Sequence, residues 1–200
     1  DGDLLEGNPR DYLPLFSFSY LECLNSVGQI SSSLAGRIAM NYCASRSDFG
    51  GWRWHPYTMS KRIISISIWL ATETDNIDIN KEIFISELSN CLRKLKSNIE
   101  FHIGANHVLT NYAALVIGSS VLQTDEATKF ESRYLRCFSE QFDSSMHYER
   151  SWVYTGQLLA EALKVSTFSP RVLAAMKERL PEILGQFVHM KRYHVDFFGD

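Results

Sequence analysis

Apolar residues recur along this chain at spacings of three and four. Phe84, Leu88, Leu92 and Leu95 form one such stripe, and Phe130, Tyr134, Phe138 and Phe142 form a second. Leu173, Met176, Leu180, Leu184 and Phe187 form a third. That period predicts amphipathic helices. Tyr12–Val27, Ile30–Ala44 and Ser151–Val165 read as further helices. Ser169-Pro170 predicts an N-cap followed by proline at the first helical position. Pro181 predicts that this helix ends near Leu180 and that another begins. Turn chemistry marks loops at Asp48-Phe49-Gly50-Gly51, Thr74–Asn80 and Asp143–Met146. Ile64-Ser65-Ile66-Ser67-Ile68 alternates with period two, a strand signature. Its neighbours are helical and it has no hairpin partner, so a helix is expected there too. About eight helices with short connections suggest antiparallel helical hairpins, and a bundle, an α-solenoid and an α/α toroid all satisfy that pattern.

Composition narrows the function more than the fold. The 200 residues are 45% hydrophobic, enough for one sizeable core or two small ones, and residues 1–200 are expected to form a single helical domain. The net charge of -3 comes without clustered Lys and Arg, which sets nucleic acid aside. An acidic ligand stays compatible with that charge if a few placed donors hold it. The apolar run Val108 to Leu122 contains Thr110, Asn111, Tyr112, Ser119 and Ser120 and is short for a bilayer, so a buried helix and no membrane span are expected. Asp1-Gly2-Asp3 opens with neither a basic nor an apolar stretch, so no signal peptide is expected in this chain. Cys23, Cys43, Cys91 and Cys137 form no C-x-x-C pair and sit among apolar neighbours. They read as small buried hydrophobes, and neither a metal nor a cofactor is expected in this chain.

Three clusters hold polar residues that stand out. In Gly104-Ala105-Asn106-His107-Val108-Leu109-Thr110-Asn111, a helix puts Val108, Leu109, Tyr112, Leu115 and Val116 on an apolar face. His107, Asn111, Ala114 and Gly118 then share another face, and the two small residues keep it narrow. Asn106 falls at or near the helix start, where free backbone N–H groups favour an anion. An ordinary reading also fits: Asn106 as a cap and His107 as a hydrogen-bonded core histidine. The second cluster, His147-Tyr148-Glu149-Arg150-Ser151-Trp152-Val153-Tyr154, suits proton transfer or, equally, a polar helix start capped by Ser151. The third runs Gly50-Gly51-Trp52-Arg53-Trp54-His55-Pro56-Tyr57, followed by Ser60 and Arg62. Its rings suit the apolar faces of sugars and its arginines a carboxylate, or the whole is an aromatic plug in the core.

Taken in order, these clusters resemble the heparinase II/III-like polysaccharide lyase superfamily. Its Trp-x-Pro-Tyr-x-x-Ser-x-Arg stretch is matched by Trp54-His55-Pro56-Tyr57-Thr58-Met59-Ser60-Lys61-Arg62. Its Asn-His-x-x-x-Asn stretch is matched by Asn106-His107-Val108-Leu109-Thr110-Asn111, and its His-x-Glu-x-Ser-x-x-Tyr stretch by His147 through Tyr154. Phe197-Phe198-Gly199-Asp200 resembles the run where the family's helical domain closes. The resemblance covers roughly residue 15 to the end.

The resemblance implies an all-α fold, an incomplete α/α toroid of antiparallel helical hairpins. It also implies a fragment that stops near a domain boundary and lacks a C-terminal β-sandwich domain, the partner that completes the cleft. The implied substrate is an acidic polysaccharide containing uronic acid, cleaved by β-elimination. Carried over, Asn106 and His107 bind the uronate carboxylate and Tyr154 is the acid/base tyrosine. Trp54, Tyr57, Arg62, Asn111, His147, Tyr148 and Arg150 line the substrate path. The chain departs from the family's Asp-Gly at Asp143-Ser144-Ser145-Met146 and from its Ser-Pro-x-Tyr-His at Ser151-Trp152-Val153-Tyr154-Thr155. Those departures leave open a second reading, a non-catalytic polysaccharide-binding or assembly protein of capsule or exopolysaccharide biosynthesis. The compartment stays open as well: periplasmic or secreted for a lyase, cytoplasmic otherwise.

Overall fold

The apolar stripes close as helices. The computed structural model describes residues 16–19, 21, 29–45, 49–72, 80–142 and 152–192. Among them lie α1 (Gln29–Ala44), a 3-10 helix (Phe49–Trp54), α2 (Pro56–Thr72), α3 (Lys81–Lys96), α4 (Ala105–Val121), α5 (Ala127–Gln141), α6 (Trp152–Phe168) and α7 (Pro170–Arg192). There is no strand among the described residues, so the fold is all-helical as expected. No helix among them is long and apolar enough to cross a membrane. The chain divides into two compact units, Asp1–Ile99 and Glu100–Asp200. The expected helix Tyr12–Val27 and the expected loops Thr74–Asn80 and Asp143–Met146 lie largely outside the described residues.

In the first unit α2 packs against α3 and the 3-10 helix, and α1 packs against α3. Asn80 caps α3, its side chain accepting from Glu82 N–H at 3.0 Å. Glu82 in the first turn and Arg93, Lys94 and Lys96 in the last complement the helix dipole. The stripe Phe84, Leu88, Leu92, Leu95 is buried along its length, each ring or branch contributing about 1.5–3 kcal/mol on leaving water. The alternating segment is helical, inside α2. Every residue from Thr58 to Ser67 except Lys61 is buried there, so Ser65 and Ser67 act as small fillers and their alternation encodes no sheet face. Asp48-Phe49-Gly50-Gly51 is not wholly loop, because Phe49 begins the 3-10 helix.

In the second unit α4 is the central helix. It packs against α5 and α6, α7 packs on both of those, and every residue from Val108 to Ser119 is buried. From Val108 onward the separate polar and apolar faces expected for α4 are therefore both interior, and of the polar face only His107 is partly exposed. A Schellman arrangement ends it: Thr124 N–H bonds Ser119 O at 3.0 Å and Gln123 N–H bonds Ser120 O at 3.2 Å, with Gln123 at φ 52°. That turn folds α5 back along α4. Phe130, Tyr134, Phe138 and Phe142 are buried, with Phe138 and Phe142 stacked 4.5 Å apart. Ser169 caps α7 as expected, accepting from Val172 N–H at 3.1 Å while donating to Glu131 at 2.6 Å.

Two expectations for α7 change. The helix runs through Pro181 instead of ending near Leu180. Pro181 and Lys177, whose carbonyl the missing N–H leaves without an intrahelical donor, are both exposed, a position where a helix tolerates proline. The buried stripe is also rotated by about one residue: Val172, Met176 and Ile183 are enclosed, whereas Leu173 and Leu184 are 38% and 48% exposed.

Candidate functional site

Residues 97–104 enter α4 without helical periodicity, and Glu100 organises them. Its carbonyl accepts from Ile103 and Gly104 N–H, both at 3.0 Å. Gly104 follows at φ 73°, ψ -151°, a conformation open essentially to glycine alone, and α4 begins at the next residue. The Glu100 carboxylate is buried at 1% exposure. Asn111, one full turn beyond His107, holds it from both sides. Asn111 Oδ1 accepts from Glu100 N–H at 2.9 Å, and Asn111 Nδ2 donates to Glu100 Oε2 at 3.1 Å.

His107 completes the cluster, with Nδ1 at 3.1 Å from Glu100 Oε1. An ionised carboxylate only accepts, so Nδ1 is the donor of this bond. The side chain is 28% exposed, so the ring is oriented from inside and reachable from outside. Asn106 is the second residue of α4 and half-buried, in the turn whose N–H groups have no intrahelical acceptor. Gly104, not Asn106, occupies the capping position, and it has no side chain to cap with.

The structure thus brings Asn106, His107 and Asn111 together on one end of α4, and it gives Asn111 a different task. Asn111 is 0% exposed with both ends of its amide used, so it positions Glu100 and thereby His107. Tyr154 is half-buried on α6, the helix packed against α4. A buried bond, Thr110 Oγ1 to Glu161 Oε2 at 2.8 Å, sets the register of that pair about two turns from Tyr154. Burial, and then the Glu161 carboxylate, push the Tyr134 hydroxyl well above its ordinary value of 10.0, which keeps that phenol protonated inside the unit. His147, Tyr148 and Arg150 lie outside the described residues, as do Asp143 to Ser145 and Phe197 to Asp200.

Between α4 and α5 lies an open cleft of about 650 Å³, lined by Phe101, Gly104, Val108, Tyr112, Arg133, Arg136, Cys137, Glu140 and Gln141. The lining positions rise along α4 as they fall along α5, which is the hairpin's antiparallel pairing. No sequence motif points to Glu100 or to these arginines. Glu100 acts on residues seven and eleven positions away, beyond the three-to-four spacing of neighbouring helical side chains. Arg133, Arg136 and Glu140 do leave a signal, a polar stripe at spacings of three and four beside the aromatic one.

Trp54, Tyr57 and Arg62 stand in the first unit. The half-buried Trp54 ring has Lys94 Nζ 3.6 Å and the Arg53 guanidinium 5.1 Å from its centre. Tyr57 is half-buried beneath Lys61. Arg62 departs from the expected ligand-binding role. It is 0% exposed, and its Nε donates to Phe16 O at 2.8 Å. Nη1 meets Glu87 Oε1 at 3.0 Å and Cys91 Sγ at 3.6 Å, and Nη2 meets Tyr42 OH at 3.1 Å and Arg53 O at 2.9 Å. All five N–H groups are used inside the unit, and the carboxylate it pairs with is Glu87. Arg53 binds the other Glu87 oxygen at 3.3 Å, giving a buried Arg–Glu–Arg triad.

Comparison with protein-family models, curated proteins and solved structures returns no match for this chain.

Proposed function

We propose that the start of α4 binds the carboxylate of a uronic-acid unit and that the protein is a polysaccharide lyase of the heparinase II/III type. The helices described here would then belong to an incomplete α/α toroid, with a β-sandwich domain completing the cleft. The observation that carries this reading is the Glu100–His107 pair in the helix turn that also bears Asn106. Asn106 supplies a side-chain donor for the carboxylate, His107 supplies a second through Nε2–H when both ring nitrogens carry a proton, and the backbone N–H groups of the turn favour the negative charge.

In the elimination, C5–H gives up its proton, the electron pair forms the C4–C5 double bond, and the C4–O bond breaks. The leaving oxygen takes up a proton. Charge builds on the carboxylate oxygens before that bond breaks, so donors already fixed there lower the barrier by about 3–4 kcal/mol, on the scale of an oxyanion hole. Tyr154 is assigned the acid/base role by its place in the His-x-Glu-x-Ser-x-x-Tyr stretch.

Incubating the full-length protein with alginate, heparan sulfate and bacterial exopolysaccharides tests this. The expected result is a UV-absorbing unsaturated uronide, lost in Asn106→Ala and Tyr154→Phe. No product from any uronate polymer sinks the lyase. The second reading, a binding or assembly protein of exopolysaccharide biosynthesis, is favoured by Ser145 and Thr155 where the family carries Gly and His. It requires glycan binding that Asn106→Ala abolishes, without any product.

A further inference from the structure

We propose that the cleft between α4 and α5 is a subsite for a second anionic sugar unit, with Arg133 and Arg136 gripping its carboxylate or sulfate; the polymer assigned to it rests on the uronate reading above. The cleft's volume, about 650 Å³, lies within the range of ligand sites. Arg133 and Arg136 are exposed, one turn apart on the same side of α5, and both line the cleft. Neither makes a hydrogen bond or ion pair within the described residues. Arg136 and Glu140 are four apart, the spacing at which helical ion pairs form, yet no bridge joins them. Two guanidinium groups so placed repel each other, and a bidentate anion between or across them removes that cost.

The rest of the lining selects a sugar over a bare ion. Phe101 is 67% exposed, an unusual position for a phenyl ring, and it borders the cleft together with Val108 and Tyr112. Phe101 offers the exposed apolar surface for the face of a pyranose, with the buried Val108 and Tyr112 beside it in the cleft lining. Glu140 accepts hydrogen bonds from sugar hydroxyls, and it opposes the entry of compact, highly charged anions. Gly104 and Val108 line the cleft and bracket Asn106 and His107 in sequence. The helix start and the cleft thus lie within about one turn of each other along α4, and the neighbouring unit of the same polymer is assigned to the cleft.

The test measures binding of three size-matched oligosaccharides to the full-length protein by calorimetry: an oligouronate, a sulfated glycosaminoglycan fragment and neutral dextran. Binding of either anionic ligand without the neutral one is expected. Arg133→Gln/Arg136→Gln should weaken it about tenfold or more, and Glu140→Gln should tighten it a few-fold, an opposite sign that misfolding does not produce. Bound ligand should also slow alkylation of Cys137, which is half-buried in the cleft wall. The preferred anionic ligand identifies carboxylate or sulfate as the group held. The inference is overturned if no anionic ligand binds, if dextran binds equally, or if the double arginine variant binds within twofold of wild type. Arginine-dependent binding without an unsaturated product refutes the lyase and leaves the subsite standing. Unchanged binding and turnover in the double variant does the reverse.

Discussion

Asn111 and Glu100 hold each other twice, through one hydrogen bond to the backbone and one to the side chain. The Glu100 N–H donates to Asn111 Oδ1 at 2.9 Å, and Asn111 Nδ2 donates to Glu100 Oε2 at 3.1 Å. This clamp ties the irregular entry of α4 to its second turn, and the other carboxylate oxygen, Oε1, then orients His107. Asn111→Ala removes both of these bonds from the buried Glu100. The expected cost is about 2–4 kcal/mol of stability. Urea unfolding followed by far-UV circular dichroism measures it, and a change under about 0.5 kcal/mol would contradict the clamp.

Gly104 gives a cleaner backbone test. An added Cβ meets nothing within 4 Å, so Gly104→Ala introduces no clash. The cost is conformational only, of order 1–3 kcal/mol, because φ 73° with ψ -151° is strained for any L side chain. A drop in melting temperature with unchanged far-UV signal at 20–25 °C is expected. An unchanged melting temperature would show that the entry to α4 relaxes freely.

Arg62→Lys is expected to be severe although it keeps the charge. Five planar donors meet five acceptors, and an ammonium supplies three in another geometry. Glu87 retains Arg53, while Phe16 O, Tyr42 OH and Arg53 O compete for what remains. A loss of about 3 kcal/mol is expected for the first unit. Three of the four tryptophans, Trp52, Trp54 and Trp69, lie in that unit, so tryptophan fluorescence is weighted toward it, and Trp152→Phe makes the readout selective.

What the sequence revealed divides by contact range. The stripes through Phe84 and Phe130 and the Ser169-Pro170 cap depend on neighbours within a turn, and they were legible. In α7, Val172 and Leu173 are equally apolar, so periodicity alone did not say which one points inward. Asn106 and His107 fall in the first turn of α4, at the helix start the sequence places there. Arg62 looked like a ligand residue because its acceptors, Phe16 O, Tyr42 and Glu87, come from up to 46 residues away. Glu100 was invisible for the same reason.

The buried triad carries a pH signature. Burial pushes the Cys91 and Cys43 thiols from 9.0 up to about 12, outweighing the nearby arginines, with Glu87 acting in the same direction as burial. Burial likewise raises the Tyr42 hydroxyl from 10.0 to about 12. Each group is neutral when protonated, and the folded state holds that proton more tightly than the unfolded chain does. Their contribution is therefore complete below about pH 9, where both states are protonated, and is lost as pH rises from there towards 12. Each group adds a slope of at most about 1.4 kcal/mol per pH unit. The urea midpoint read by tryptophan fluorescence should be flat between about pH 7 and 8.5 and should fall progressively above about pH 9. Cys91→Ala should reduce the alkaline slope by up to one proton's worth, which separates the thiol from lysine titration elsewhere on the surface. A midpoint that stays flat to about pH 11, or a slope identical in Cys91→Ala, would show that these groups titrate in the folded protein as they do in the unfolded chain.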